Sequence, residues 1–283
     1  MPLFGARPPV EDRERQWIEK MLAWCVEQYG REALEAEVLT PTPSFFPGSY
    51  RGTPDDVLGV VDLVRAHLRI DPSEIAVGLY DGRPPARPGP PARPGSTAFP
   101  GSPMSPDPAA LPDSPTRPGS AALPGSPARP GGGPTTGGAY QSIAGHYSIR
   151  DGVGIIAVGM DNSPDPRRVV AVAAHELCHH KLLYRGLASA AEGDHEPLTD
   201  LATVFFGLGI FTANAAFTFA QGSGGWRRQQ LGYINQPMFG YALARTAWLR
   251  GDRDPAWSRY LDTNPRGYFK RAMRYLEKAP PAQ

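Results

Sequence analysis

Val172-Ala-Ala-His175-Glu176-Leu-Cys-His179-His180 is the stretch on which the reading of the whole chain turns. Just upstream, Asp165 followed by Pro166 is a helix-start signal, with an acceptor side chain at the cap and proline in the first turn. The apolar residues that follow carry the helix through the 170s. Four residues make about one helical turn, so His175 and His179 project from one face and can hold one ion through their ring nitrogens. Glu176 lies roughly 100° round the helix, beside the two histidines. From there it can take a proton from an ion-bound water and later pass it to a leaving amine. The bland alternative is a helix carrying two ordinary histidines, and the donors that follow downstream weigh against it.

Catalytic zinc uses three protein ligands and leaves a fourth position open, so a further donor is needed. Asp194-His195-Glu196-Pro-Leu-Thr-Asp200 offers one. Glu196 and Asp200 form an i, i+4 pair at a helix start that tolerates Pro197, so both carboxylates face the same way. One of them can bind the ion while the other orients a ligand histidine by accepting its second ring proton, the role expected of Asp200. His195, Asp194 and His180 compete for the third position.

His-Glu-x-x-His followed by Glu-x-x-x-Asp on a second helix resembles the gluzincin metallopeptidases, the thermolysin-like branch of the zincins. The resemblance implies His175, His179 and Glu196 on zinc, Glu176 as general base and Asp200 supporting a ligand histidine. The chain also resembles a bacterial protein family that brings no established reaction. That likeness is carried by Pro41-Thr-Pro-Ser-Phe-Phe-Pro, by Asp194-His-Glu-Pro-Leu-Thr-Asp-Leu, and by Gly232-Tyr with Met238-Phe-Gly-Tyr-Ala-Leu-Ala, and it covers most of the chain outside one insertion.

The insertion is 82–138, which holds 17 of the 33 prolines and 11 of the 32 glycines. So few aliphatic residues cannot offset the entropy of ordering, and disorder is expected. Arg93-Pro-Gly-Ser-Thr-Ala-Phe-Pro-Gly-Ser-Pro recurs as Arg117-Pro-Gly-Ser-Ala-Ala-Leu-Pro-Gly-Ser-Pro, a duplicated spacer rather than a solenoid. A docking ligand for a partner protein is the other reading of this segment. Strand-like Ile75-Ala-Val-Gly-Leu-Tyr precedes it and Ala139-Tyr-Gln-Ser-Ile-Ala-Gly-His-Tyr follows it, so it reads as an enlarged hairpin loop. On that view 1–81 and 139–283 form one domain around the insertion. Gly154-Ile-Ile-Ala-Val adds a third strand, read either as resembling the sheet edge on which zincins lay an extended peptide or as a plain core strand.

Apolar spacing predicts helices over 11–29 and 54–68, then 196–220, 237–250 and 265–278. The fold class is therefore α+β, mostly helical with a small sheet, and the gluzincin resemblance implies a zincin-like arrangement of it. Leu201 to Ala220 carries no charge over 20 residues, long enough to span a bilayer, but its threonines and Asn214 fit a buried helix better. With 29 Lys and Arg against 28 Asp and Glu, no net field points to nucleic acid. Two cysteines, Cys25 and Cys178, make no disulfide framework, and the start of the chain lacks a signal-peptide core, so a cytoplasmic location is expected. Cys178 reads as a small core residue. His67 and His146 read as ordinary helix and strand residues. No histidine after residue 196 can meet an oxyanion, which leaves Tyr184, Tyr233, Tyr241 and Arg245 as unassigned candidates, with Gly222-Ser-Gly-Gly225 and Trp226 as a lid or a plain connector.

Two functions fit these features. One is zinc-dependent hydrolysis of a peptide or related amide in an unidentified peptide or protein substrate. The other is a degenerate zincin-like protein that keeps Zn2+ for folding and binds or regulates a partner.

Overall fold

The computed structural model describes residues 7–43, 45–46, 49–81, 145–190, 192–218 and 234–278. The insertion, the 222–226 loop and Tyr233 lie outside the described residues. The chain is α+β and mostly helical: α1 (Asp12–Tyr29), α2 (Arg31–Leu34), α3 (Pro54–His67), β1 (Ile75–Tyr80), β2 (Gly145–Arg150), β3 (Val153–Gly159), α4 (Pro166–His179), α5 (His195–Phe205), α6 (Gly209–Thr218), α7 (Gln236–Leu249) and α8 (Thr263–Lys278). Local chemistry starts these helices where the sequence places the caps. Thr53 accepts from the Asp56 amide while Asp56 reaches back to the Thr53 amide, and Asp165 accepts from the Arg167 amide ahead of α4.

The sheet order is β1-β3-β2, with β3 parallel to β1 and antiparallel to β2. The enlarged-hairpin reading of the insertion is therefore corrected: β1 and β2 lie on opposite edges, and the chain between them crosses over rather than turning back. The hairpin joins β2 to β3 instead. Asp151 (φ 51°) and Gly152 (φ 76°) close it, an Asp-Gly pair of the kind that matches strand twist in a two-residue turn. Nor is β3 an edge. Its run Ile155-Ile-Ala-Val158 suits a strand paired on both sides, and Ile156 and Val158 are fully buried.

The helix expected over 196–220 is two helices. Gly207 interrupts it with φ 82°, and a Cβ there would run into the Glu37 carbonyl oxygen, so only glycine fits. The break lets the Gly207 carbonyl accept from the Leu39 amide at 2.9 Å. Among the described residues no helix is long and apolar enough to cross a membrane.

Every residue of α4 from Val169 to His179 is buried, which marks a central helix packed on all sides rather than an amphipathic surface one. Its Val172, Glu176 and His180 face the sheet, where Gly145 and Gly154 have no side chain to obstruct them. Its His175 and His179 face α5, and α3 and α6 also pack on it. Burial of aliphatic side chains such as Val172 and Leu177 is worth about 1.5–3 kcal/mol each, so the helix bearing the motif is also a main contributor to stability. After His179 the helix widens into a π turn, His180–Tyr184, whose Lys181 carbonyl accepts from the Tyr29 hydroxyl at 2.9 Å.

Candidate metal centre

α4 and α5 bring His175, His179 and Glu196 together, each offering a ligand atom within 4.8 Å of the others. Glu196 Oε2 sits 3.1 Å from His175 Nε2 and 3.3 Å from His179 Nε2. A tetrahedral ion with bonds of about 2.0–2.1 Å separates its ligand atoms by about 3.3 Å, so these two spacings suit a shared metal ion.

The opposite ring nitrogens explain why these three atoms converge. His175 Nδ1 donates to Asp200 Oδ1 at 3.0 Å. His179 Nδ1 lies 3.1 Å from Thr199 Oγ1, whose own proton goes to the His195 carbonyl oxygen at 2.8 Å, so Thr199 accepts from His179. Both Nδ1 protons are thereby engaged, and both Nε2 lone pairs aim at the Glu196 carboxylate. Three electron-pair donors facing one point require positive charge between them, as a proton or as a metal ion.

The titration behaviour expresses the same demand. Burial pulls His175 down, but its bonds to Asp200 and Glu196 outweigh that and hold it well above the ordinary imidazole range. Burial takes His179 down to about 4 against the pull of Glu196, so only one of the two rings carries the proton. The Glu196 carboxyl is opposed by burial yet lies far below its usual range, because His175, His179 and His195 all bond to it. Burial lifts the Asp200 carboxyl, against the bonds from His175 and from the Ile234 amide.

Glu176 is pushed up to about 7 by burial, with His175 opposing and Glu196 adding to the rise. Its carboxylate is walled by the start of β2: a Cβ on Gly145 would come within 2.7 Å of Oε1 and 2.8 Å of Cγ. Tyr147, two residues along β2, stacks on His179 with ring centroids 6.2 Å apart and planes 14° from parallel.

The remaining candidates have other partners. Asp194 Oδ2 accepts from Trp17 Nε1 at 3.3 Å, which ties α1 to the start of α5. His180 lies between Glu74 Oε2, 3.3 Å from its Nε2, and the Tyr147 hydroxyl, 3.1 Å from its Nδ1. His195 Nε2 lies 3.2 Å from Glu196 Oε1, the oxygen turned away from the cluster. The Tyr184 hydroxyl donates to the Gly152 carbonyl and that of Tyr241 to Glu19, so neither points a free proton at the centre. Arg245 is on α7 near Tyr241. His67 Nε2 donates to the Phe206 carbonyl at 2.7 Å, and His146 faces away from α4 on β2. Cys178 is fully buried, and burial pushes its thiol far up.

Thr199, Trp17, Gly145 and Tyr147 were not singled out from the sequence. Thr199 carried a usable signal, since Glu196, Thr199 and Asp200 stand at i, i+3 and i+4 on one helix face. No local pattern marks the other three, which reach the centre through pairings distant in sequence.

No protein-family model, no curated protein and no solved structure matches the chain.

Proposed function

We propose that this chain is a zincin-like, zinc-dependent hydrolase of peptide or related amide bonds. The observation that carries the reading is the placement of the two imidazoles: Nδ1 of His175 and of His179 lie against Asp200 Oδ1 and Thr199 Oγ1, leaving both Nε2 atoms and Glu196 Oε2 convergent, with Glu176 alongside. Zinc held by those atoms would supply a Lewis acid for the scissile carbonyl and lower the pKa of a water molecule. Glu176, with a pKa of about 7, is poised to take the proton of the attacking water and deliver it to the leaving amine. Asp200 and Thr199 hold the two imidazoles in the tautomer and orientation that metal binding needs. A peptide suits the site because β2, a sheet edge among the described residues, borders it, with Gly145 against Glu176 and Tyr147 against His179. An extended main chain could pair along that edge.

The second reading, a zinc protein without turnover that binds or regulates a partner, draws on burial: His175, Glu176 and His179 are 8%, 5% and 7% exposed. Metal analysis of detergent-free protein, beside His175→Ala and Glu196→Ala, tests the centre; one zinc per chain, lost in both variants, is expected. Glu176→Gln with a peptide library then separates the readings. Turnover that disappears while zinc stays supports the hydrolase, and a wild-type protein that cleaves nothing supports the second.

A further inference from the structure

His195 stands at the first position of α5, immediately before Glu196, and both of its ring nitrogens face oxygen atoms that can only accept. Nδ1 donates to the Glu192 carbonyl at 2.7 Å, which fixes the ring plane from the preceding turn. Nε2 lies 3.2 Å from Glu196 Oε1. Oε1 and Oε2 of Glu196 thus have different neighbours: Oε1 faces His195, and Oε2 is the oxygen that contacts His175 and His179. A carboxylate left to itself binds a metal through one oxygen or both. Here rotation about its last bond is restricted by the histidine behind it. The main chain of the same residue contributes too, because the His195 carbonyl takes the Thr199 proton and makes Thr199 an acceptor for His179.

We infer that His195 is a positioning residue that clamps Oε1 of Glu196, so that Glu196 meets the metal through Oε2 alone and a coordination position stays open. This rests on the metal reading of His175, His179 and Glu196, and it adds a determinant of coordination number that lies outside the ligand set. The imidazole is suited to the task because it is short, in contact at both ends and carried on the same turn as its target. The 5.9 Å between its ring centroid and that of His179 places it at the border of the cluster, and it is not one of the three converging residues.

The test uses the full chain, stripped of metal and titrated with Co2+ and with Zn2+, comparing wild type with His195→Phe, His195→Gln and Glu196→Ala. Far-ultraviolet circular dichroism of each metal-free variant checks folding. His195→Phe should still take one ion, with affinity about 10–100-fold weaker, the size of effect seen when a ligand's supporting hydrogen bond is removed. Its cobalt absorption should lose intensity as Glu196 becomes free to bind through both oxygens. His195→Gln, which keeps an N–H donor, should recover most of the affinity and the wild-type spectrum. Wild-type affinity and spectrum in His195→Phe would overturn the inference, as would failure of the glutamine to rescue a folded protein. A spectrum in His195→Phe that reports loss of a nitrogen ligand would also overturn it, by making His195 a ligand. If wild type takes up neither ion, the metal reading itself fails; if Glu196→Ala loses the ion while His195→Phe matches wild type in affinity and spectrum, the metal reading stands and the clamp alone is refuted.

Discussion

Glu176→Gln should make the metal-free protein more stable, even though it removes the group proposed to do the chemistry. In the fold the Glu176 carboxyl has a pKa of about 7, raised by burial from an ordinary 4.5. A raised carboxyl pKa means that the folded state holds its proton longer than the unfolded state does. Stability is therefore lost as pH rises from 4.5 towards 7, because the unfolded chain ionises freely while the fold resists a buried charge. At 1.36 kcal/mol per unit, that gap amounts to at most about 3 kcal/mol above neutrality and nothing below the unfolded pKa. Glutamine has the same shape without the charge and removes the penalty. Urea denaturation of metal-free wild type and variant should show equal stability near pH 4 and a gain of up to about 3 kcal/mol near pH 8. The same substitution should leave zinc bound in the holo protein and cut turnover by about 10²–10⁴-fold. A variant no more stable than wild type near pH 8 would refute the assignment of a buried, charge-averse Glu176.

Other outcomes follow from the same geometry. Thr199→Val leaves the His179 Nδ1–H without its acceptor inside the protein and should lower stability by about 1–3 kcal/mol, read by thermal unfolding. Asp200→Asn keeps the shape but weakens the acceptor for His175, and zinc affinity measured by competition with a chelator should fall about 10–100-fold. Because His175 sits well above the ordinary range, it carries a proton at neutral pH that metal must displace. Zinc affinity should therefore fall as pH falls, and calorimetry in buffers of different ionisation enthalpy should show proton release. Gly145→Ala would place a methyl 2.7 Å from Glu176 Oε1 and 2.7 Å from Val172 Cγ1, and is expected to lower turnover more than about tenfold while zinc content stays unchanged.

The helix of His175 and His179 was legible because cap, periodicity and histidine spacing agree over one short stretch, from Asp165 to His180. The i, i+4 relation of Glu196 and Asp200 could be read for the same reason: helix faces are written locally. The strand order could not be read in that way. Ile75–Tyr80 and Gly145–Arg150 both carry strand composition, but only the Asp151-Gly152 turn says which strands are neighbours, and the intervening insertion drew attention to the wrong pair. Gly207 was visible in the sequence, yet its consequence depends on Glu37, 170 positions away, whose carbonyl forbids a side chain. Trp17 on Asp194 and Gly145 against Glu176 are likewise long-range contacts that no local pattern encodes.

The charges at the centre link these observations. Without metal, Asp200 and Glu196 face the protonated His175, with His195 on the outer oxygen of Glu196, while His179 stays neutral and Glu176 is half protonated near pH 7. Replacing the His175 proton by a doubly charged ion adds positive charge beside Glu176 and favours its ionised form. Its pKa in the holo protein should therefore lie below the metal-free value of about 7. The ascending limb of activity against pH, if carried by Glu176, must then fall below neutrality, whereas the stability difference between wild type and Glu176→Gln in the metal-free protein must centre between 4.5 and about 7. One side chain thus gives two pH signatures in opposite metal states. A Glu176 whose ionisation ignores the metal would not be close enough to share a water with it.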